Sequence, residues 1–193
     1  MTHTTPPGRE VAPDLKDEEP ATEDETRKHL LVRSKRPFAP VYKGFVQNPD
    51  KRASKREGPL AQFIRNGDLR GLRAFLFLHA IISSGEGDNG WSTTLPIAVW
   101  ARVFDTTRTA DKRSASTAAT KVLTRLAARQ LIARERSGRA RQVTVTLLRP
   151  DGSGGAYTRP DGTSDRFLKL SNEFWTEGWY GKLDLPATAM LLV

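Results

Sequence analysis

The stretch that decides the fold runs from Ser92 to Leu148 and reads STTLPIAVWARVFDTTRTADKRSASTAATKVLTRLAARQLIARERSGRARQVTVTLL. Its first part predicts an apolar helix that follows Pro96 and ends near Phe104. Thr93 or Thr94 is expected to cap this helix, and a proline fits its first turn.

A second helix and a β-hairpin complete the stretch. A polar connector at 105–113 leads into a helix predicted over about 114–130, which has a narrow apolar stripe and a polar opposite face. Residues 132–136 and 141–148 read as two strands around a Ser-Gly-Arg-Ala tip, and the second strand alternates with period two. The stretch therefore predicts two helices followed by a hairpin.

Positive charge is concentrated in the same part of the chain. Between Ala101 and Arg149 there are twelve Lys and Arg against three Asp and Glu, an excess of nine that equals the formal net charge of the whole protein, +9. Arginine-rich composition can reflect a coding habit, but habit does not explain the local scarcity of acidic residues. A positive field on one module favours a polyanionic partner.

The segments before the stretch divide in two. Residues 1–58 are predicted to be a disordered tail, acidic up to Glu25 and then basic, because their apolar residues recur with no period. The basic half is either a solvated tail or an arm that follows a DNA backbone or enters a minor groove. Within it, the apolar island 37–46 is expected to dock as an extended strand. Asp68 is placed to cap a buried helix from Leu69 to about Ser83.

The segments after the stretch are expected to be a flexible loop and a further unit. The loop, residues 151–165, contains two Pro-Asp-Gly turns. Residues 166–193 are predicted to hold a strand beside the hairpin, over about 165–170, and then the start of a helical unit. The chain ends on Met-Leu-Leu-Val, so this helix either packs against a partner subunit or begins a second domain.

Several classes of function find no support in the sequence. There is no cysteine, and no apolar run approaches the length of about 18 residues that a membrane span needs. His3, His29 and His79 match no metal motif, and His79 is expected to be a core histidine. No phosphate-binding loop or nucleophile elbow is present. We therefore expect no enzyme, no catalytic residue, no cofactor, no metal and no membrane partner, and a cytoplasmic, nucleoid-associated location.

These residues carry a resemblance. From about Leu69 to Leu148 the chain resembles a bacterial winged helix-turn-helix domain, and its Arg- and Ala-rich style is similar to actinobacterial DNA-binding proteins. The segment Phe167-Leu168-Lys169-Leu170-Ser171, with Phe174-Trp175 and Gly178-Trp179, is similar to the start of a second winged unit, as in plasmid replication initiators with tandem winged domains. The resemblance implies a mainly α fold with a small β-hairpin (α+β): a winged helix-turn-helix over 59–150, with a disordered N-terminal tail and a partial second unit at the C-terminus.

The predicted partner is double-stranded DNA, read by the second helix and contacted by the hairpin as a wing. The expected function is transcription regulation, with a homodimer left open. A plasmid or mobile-element replication initiator and a protein- or RNA-binding module are the alternatives. The predicted DNA-binding residues are Arg108, Lys112, Arg113, Ser116, Thr117, Thr120, Lys121, Thr124, Arg125, Arg136, Arg139 and Arg141.

Overall fold

Helices and two small antiparallel sheets give the chain a mixed α+β fold. The computed structural model describes residues 21–48, 50, 52, 54, 56–83, 90–108, 110–137, 141–163 and 166–193. The helices are α1 (Glu23–Ser34), α2 (Lys43–Val46), α3 (Leu60–Arg65), α4 (Leu69–Ile81), α5 (Ile97–Val103), α6 (Lys112–Ala128), α7 (Glu173–Thr176), α8 (Trp179–Lys182) and α9 (Leu185–Leu191). The strands are β1 (Phe38–Tyr42), β2 (Ser92–Pro96), β3 (Ile132–Ser137), β4 (Gln142–Leu147) and β5 (Phe167–Ser171). Within the described ranges, no helix is long and apolar enough to cross a membrane.

Helix α4 lies at the centre of the core. Asp68 caps it by accepting a hydrogen bond from the Gly71 amide at 3.0 Å, so the predicted cap and start are confirmed. His79 is buried against the rings of Phe75 and Tyr157, with centroids 4.6 and 5.4 Å away. Burial, and in addition the charge of Arg36, lower the pKa of His79 to about 3, as expected of a core histidine held neutral.

The three-stranded sheet has the order β2-β4-β3. The predicted hairpin is confirmed, since β3 pairs antiparallel with β4. The prediction that Thr93 or Thr94 caps a helix was wrong, because both residues belong to β2. That strand pairs with β4, and the hydroxyls of Thr94 and Thr144 are 2.7 Å apart. Helix α5 begins at Ile97 without a side-chain cap.

Helices α5 and α6 pack on the inner face of this sheet. The fully buried Trp100 of α5 donates its indole N–H to the Val143 carbonyl of β4 at 3.1 Å, which ties α5 to the strand. Helix α6 begins two residues before the predicted start, because Asp111 accepts hydrogen bonds from the amides of Arg113 and Ser114. Its apolar stripe, including Leu123 and Leu126, is buried.

The predicted N-terminal tail was wrong for residues 21–48. Thr22 and Glu25 form a capping box at the start of α1, and Leu30 and Leu31 of this helix are buried in the core. Residues 38–42 of the apolar island form β1, as expected of an extended docking strand, but residues 43–46 form the short helix α2 instead. Periodicity did not reveal α1 because its buried face also contains polar residues, Thr26, Arg27 and Ser34.

The C-terminal segment joins the same core instead of beginning a second unit. Strand β5 pairs with β1, not with the hairpin, so its predicted position was wrong. Trp175 packs against Phe77 of α4 with ring centroids 5.7 Å apart. The Tyr180 hydroxyl donates to the Val103 carbonyl at 3.3 Å. Residues from three distant parts of the chain therefore close one hydrophobic core.

Candidate nucleic-acid interface

A groove opens between the first turns of α6, the start of α5 and the β3–β4 hairpin. We call it the α6 groove; its volume is about 800 Å³. It is lined by Pro96, Ile97, Ala98, Lys112, Arg113, Ser116, Thr117, Thr120, Arg136, Arg141, Gln142 and Val143. Seven of the twelve predicted DNA-binding residues are in this lining. The residues from Pro96 to Ala98, Gln142 and Val143 were missed, because their place depends on the pairing of β2 with β4.

Helical and strand periodicity bring these side chains together. Residues 112, 116 and 120 form one row along α6 at four-residue spacing, and residues 113 and 117 form the next. On the hairpin, Arg136 lies opposite Val143, so both side chains are on the sheet face that looks toward α6. The groove therefore follows from local structure on both of its sides.

The charge of the α6 groove is positive only. Lys112, Arg113, Arg136 and Arg141 are all exposed. Within the described part of the chain none of these four forms an ion pair, and no carboxylate lines the groove. Four cations in one concave surface attract an anion.

Asp111, the carboxylate that directly precedes Lys112, is engaged with the start of α6. It accepts from two amides and from the Ser114 hydroxyl at 2.8 Å. These hydrogen bonds, above all that from the Ser114 amide, lower the pKa of Asp111. Asp111 therefore serves as the N-cap of α6.

The side-chain hydroxyls on the polar face of α6 donate their hydrogen bonds within the helix. Ser116, Thr117, Thr120 and Thr124 each donate to the backbone carbonyl four residues earlier, at 2.8–3.0 Å. Each oxygen keeps lone pairs that can accept, and each threonine also presents a methyl group. The side chains on this face are short and rich in acceptor oxygens, which suits amino groups and methyl groups on a closely approaching partner.

Lys121 and Thr124 extend this face beyond the groove. Both are exposed, and they lie one helical turn after Thr117 and Thr120 respectively. Arg139, predicted at the hairpin tip, lies outside the described residues.

Arg125 is part of an ion-pair cluster away from the α6 groove. Its guanidinium donates to the Asp68 carboxylate at 2.9 Å, and Arg129 donates to the same carboxylate at 2.7 Å. Burial acts to raise the pKa of Asp68, but the hydrogen bonds from these two arginines and from Gly71 lower it overall. Asp68 therefore fixes the end of α6 to the start of α4.

Arg108 is likewise paired with acids. It lies 3.3 Å from Asp105 and 3.5 Å from Asp24 of α1. Beside it, the Thr107 hydroxyl donates to Glu23 at 2.5 Å, and this hydrogen bond is the main cause that lowers the pKa of Glu23. The acidic end of α1 thus neutralises part of the connector between α5 and α6.

A buried arginine, Arg27, stabilises the packing of α1 against the connector between α5 and α6. Arg27 of α1 pairs with Asp24 and with Asp105, the latter at 2.8 Å, and its guanidinium lies 4.5 Å from the Tyr180 ring centroid. It also donates to the Val103 carbonyl at 3.2 Å. A buried guanidinium with these partners links α1, the connector and α8.

Comparison with known proteins finds no matching family model, no matching curated protein and no matching solved structure. Among the described residues, no group of three or more His, Asp or Glu is placed to hold a metal ion. What the chain binds therefore has to be inferred from the geometry and charge of its surfaces.

Proposed function

We propose that this protein binds double-stranded DNA through the α6 groove, with α6 as the recognition helix and the β3–β4 hairpin as the wing of a winged helix-turn-helix. One observation carries the proposal. The groove joins four exposed cations to a row of short hydroxyl side chains, and among the described residues these cations form no ion pair and no carboxylate lines the groove. The order α4, β2, α5, α6, β3, β4, with β4 in the middle of the sheet, supports the winged-helix interpretation.

The dimensions support a duplex as the partner. An α-helix with its side chains is about 10–12 Å across, and the major groove of B-DNA is about 12 Å wide. The short side chains on α6 let its backbone approach base edges, while Lys112, Arg113 and Arg136 flank it at positions suited to phosphates or guanine edges. Acceptor oxygens on Thr117 and Thr120 suit the amino groups of adenine or cytosine.

Transcription regulation is the role that we propose for this binding. The replication-initiator alternative depended on a second winged unit starting near residue 167. Residues of β5, α7, α8 and α9 instead contribute to the core that contains α4, so no particular observation favours that alternative. A dimer on paired half-sites remains part of the proposal because single modules of this size usually act in pairs.

The test is a selection of bound sites from random duplex DNA, followed by affinity measurements with groove variants. A recovered consensus supports sequence-specific binding; inverted repeats indicate a dimer, and direct repeats an initiator. Arg113→Ala and Arg136→Ala are then expected to weaken binding to the selected site. Lys28→Ala, which removes an exposed cation of α1 outside the groove, is the matched control.

Two results would contradict the proposal. One is an equal loss of affinity in the Lys28 control and the groove variants, which would indicate attraction by net charge alone. The other is tight binding to single-stranded RNA with no measurable binding to duplex DNA, which would favour the interaction-module alternative.

A further inference from the structure

A second cationic pocket lies where the turn after α1 meets residues 159–161 and β5. Its volume is about 660 Å³, and among the described residues it shares no lining residue with the α6 groove. Among the described residues, four cations line it, Lys35, Arg36, Arg159 and Lys169, together with one carboxylate, Asp161. We call it the second pocket.

Arg36 is held in this pocket by neutral groups. Its guanidinium donates to the Ser83 carbonyl at 2.5 Å and to the Ile82 carbonyl at 3.5 Å, and it lies 5.6 Å from the Trp91 ring centroid. Burial lowers the pKa of Arg36, and the neighbouring charge of Arg159 lowers it further. Arg36 is partly removed from water beside a second, exposed cation, so an anion that binds between the two guanidinium groups stabilises it.

Flat aromatic faces lie beside these cations. The rings of Phe38 and Phe167 both line the pocket, are inclined by only 19° and have centroids 6.4 Å apart. The Lys169 ammonium lies 5.1 Å from the Phe38 centroid. Both rings remain partly exposed. Cations next to accessible aromatic rings are the combination that binds the phosphate and the base of an unpaired nucleotide.

We infer that the second pocket binds a nucleotide unit of single-stranded nucleic acid, with its phosphate on Arg36 and Arg159 and its base against Phe38 and Phe167. A duplex does not satisfy this site, because its bases are stacked inside and cannot reach the rings. The inference stands on residues separate from those of the proposed duplex function.

The test uses the full chain and fluorescence anisotropy with a labelled hexathymidylate. Arg159→Ala and Lys169→Ala each remove an exposed cation, and each is expected to weaken binding about fivefold or more and to flatten its salt dependence. Arg33→Ala removes an exposed cation of α1 outside the pocket lining and is expected to change affinity by less than about twofold. Circular dichroism melting checks that each variant keeps its fold.

A second variant and three unlabelled competitors identify the ligand. Phe167→Leu retains apolar bulk without a flat face, and should weaken hexathymidylate about fivefold while leaving competition by inorganic phosphate unchanged. Thymidine 5′-monophosphate should compete at lower concentration than inorganic phosphate. Hexauridylate compares RNA with DNA, and displacement by either strand supports a single-stranded ligand.

Three outcomes would overturn the inference. The first is a loss of hexathymidylate affinity in Arg33→Ala equal to that in the pocket variants. The second is an unchanged hexathymidylate affinity in Phe167→Leu. The third is a loss of hexathymidylate affinity in Arg136→Ala, in the α6 groove, but not in Arg159→Ala. Duplex affinity is measured in parallel, so a failure of the proposed duplex function is seen separately.

Discussion

The two halves of α6 carry cations in opposite surroundings. In the first half, Lys112 and Arg113 face the α6 groove, which no carboxylate lines in the part of the chain that the structure describes. At the other end, Arg125 and Arg129 converge on the Asp68 carboxylate, which is 8 % exposed. The same kind of residue on the same helix is free to attract an anion at one end and holds two helices together at the other. The presence or absence of a neighbouring carboxylate, rather than the number of cations, decides which role each cation has.

The largest effect is expected at the paired end. Asp68→Ala removes the cap of α4 and leaves two arginines without their carboxylate. We expect a loss of about 3–5 kcal/mol in the free energy of unfolding, measured by urea denaturation. Asp111→Ala is the matched control, because it also removes an N-cap aspartate but from an exposed site, and it should cost clearly less. Equal losses would show that the cluster around Asp68 adds nothing beyond capping.

The unpaired end should control affinity instead. Arg113→Ala and Arg136→Ala are each expected to weaken binding to a selected duplex by about 1–3 kcal/mol, while the stability of the protein stays nearly unchanged. Arg125→Ala should do the reverse, with a measurable loss of stability and little loss of affinity, since its guanidinium already binds Asp68. Anisotropy titrations and urea denaturation of all three variants compare both properties. A larger affinity loss for Arg125→Ala than for Arg113→Ala would contradict the division of α6 proposed here.

Sequence reasoning found the features that depend on local chemistry. The Asp68 cap of α4, the β3–β4 hairpin and the polar face of α6 follow from neighbouring residues, and all are present. The groove residues of α6 followed from the same helical spacing. The winged-helix identity and DNA binding stay predictions.

Features that depend on distant residues were missed. Strand β2 is defined by a partner some fifty residues later, and β1 by β5 at the other end of the chain. Charge counting in a window of sequence could not include Asp68 or Asp24, which lie outside it and neutralise Arg125 and Arg108. Two of the predicted site residues were therefore placed on a binding surface although long-range contacts use them elsewhere.

The pH dependence of stability distinguishes the Asp68 cluster from the core histidine. The lowered pKa of Asp68 means that its stabilising effect is present above the unfolded pKa of about 3.9 and is lost as the pH falls below it. His79 acts in a different window. Its pKa of about 3 lies below the unfolded value of about 6.5, so the unfolded chain binds the proton first and stability falls as the pH drops between these values.

Asp68→Asn should therefore be less stable than the parent at neutral pH, and the difference should shrink below about pH 4. In the parent, protonation of His79 in the unfolded chain should lower the free energy of unfolding from about pH 6.5 downward, by about 2 kcal/mol at pH 5. This decline should be absent in His79→Leu. Thermal or urea unfolding from pH 3 to 7 measures both. If the difference in unfolding free energy between Asp68→Asn and the parent stayed constant across this range, the ionisation of Asp68 would not contribute to stability, and the prediction would be wrong.

The smallest expected effect tests whether removing an acidic partner of Arg108 makes its charge available to DNA. Asp24 of α1 lies 3.5 Å from Arg108, which also lies 3.3 Å from Asp105. Asp24→Asn removes one of these two charges from the connector next to the α6 groove, and also one partner of the buried Arg27. We expect duplex affinity to rise about twofold at low salt, and the gain to disappear at high salt because the added attraction is between exposed charges. Glu25→Gln, on the same helix turn but hydrogen-bonded to Thr22, is the control and should leave affinity unchanged. A weaker duplex complex in Asp24→Asn would mean that the position of α1, and not its charge, governs the connector.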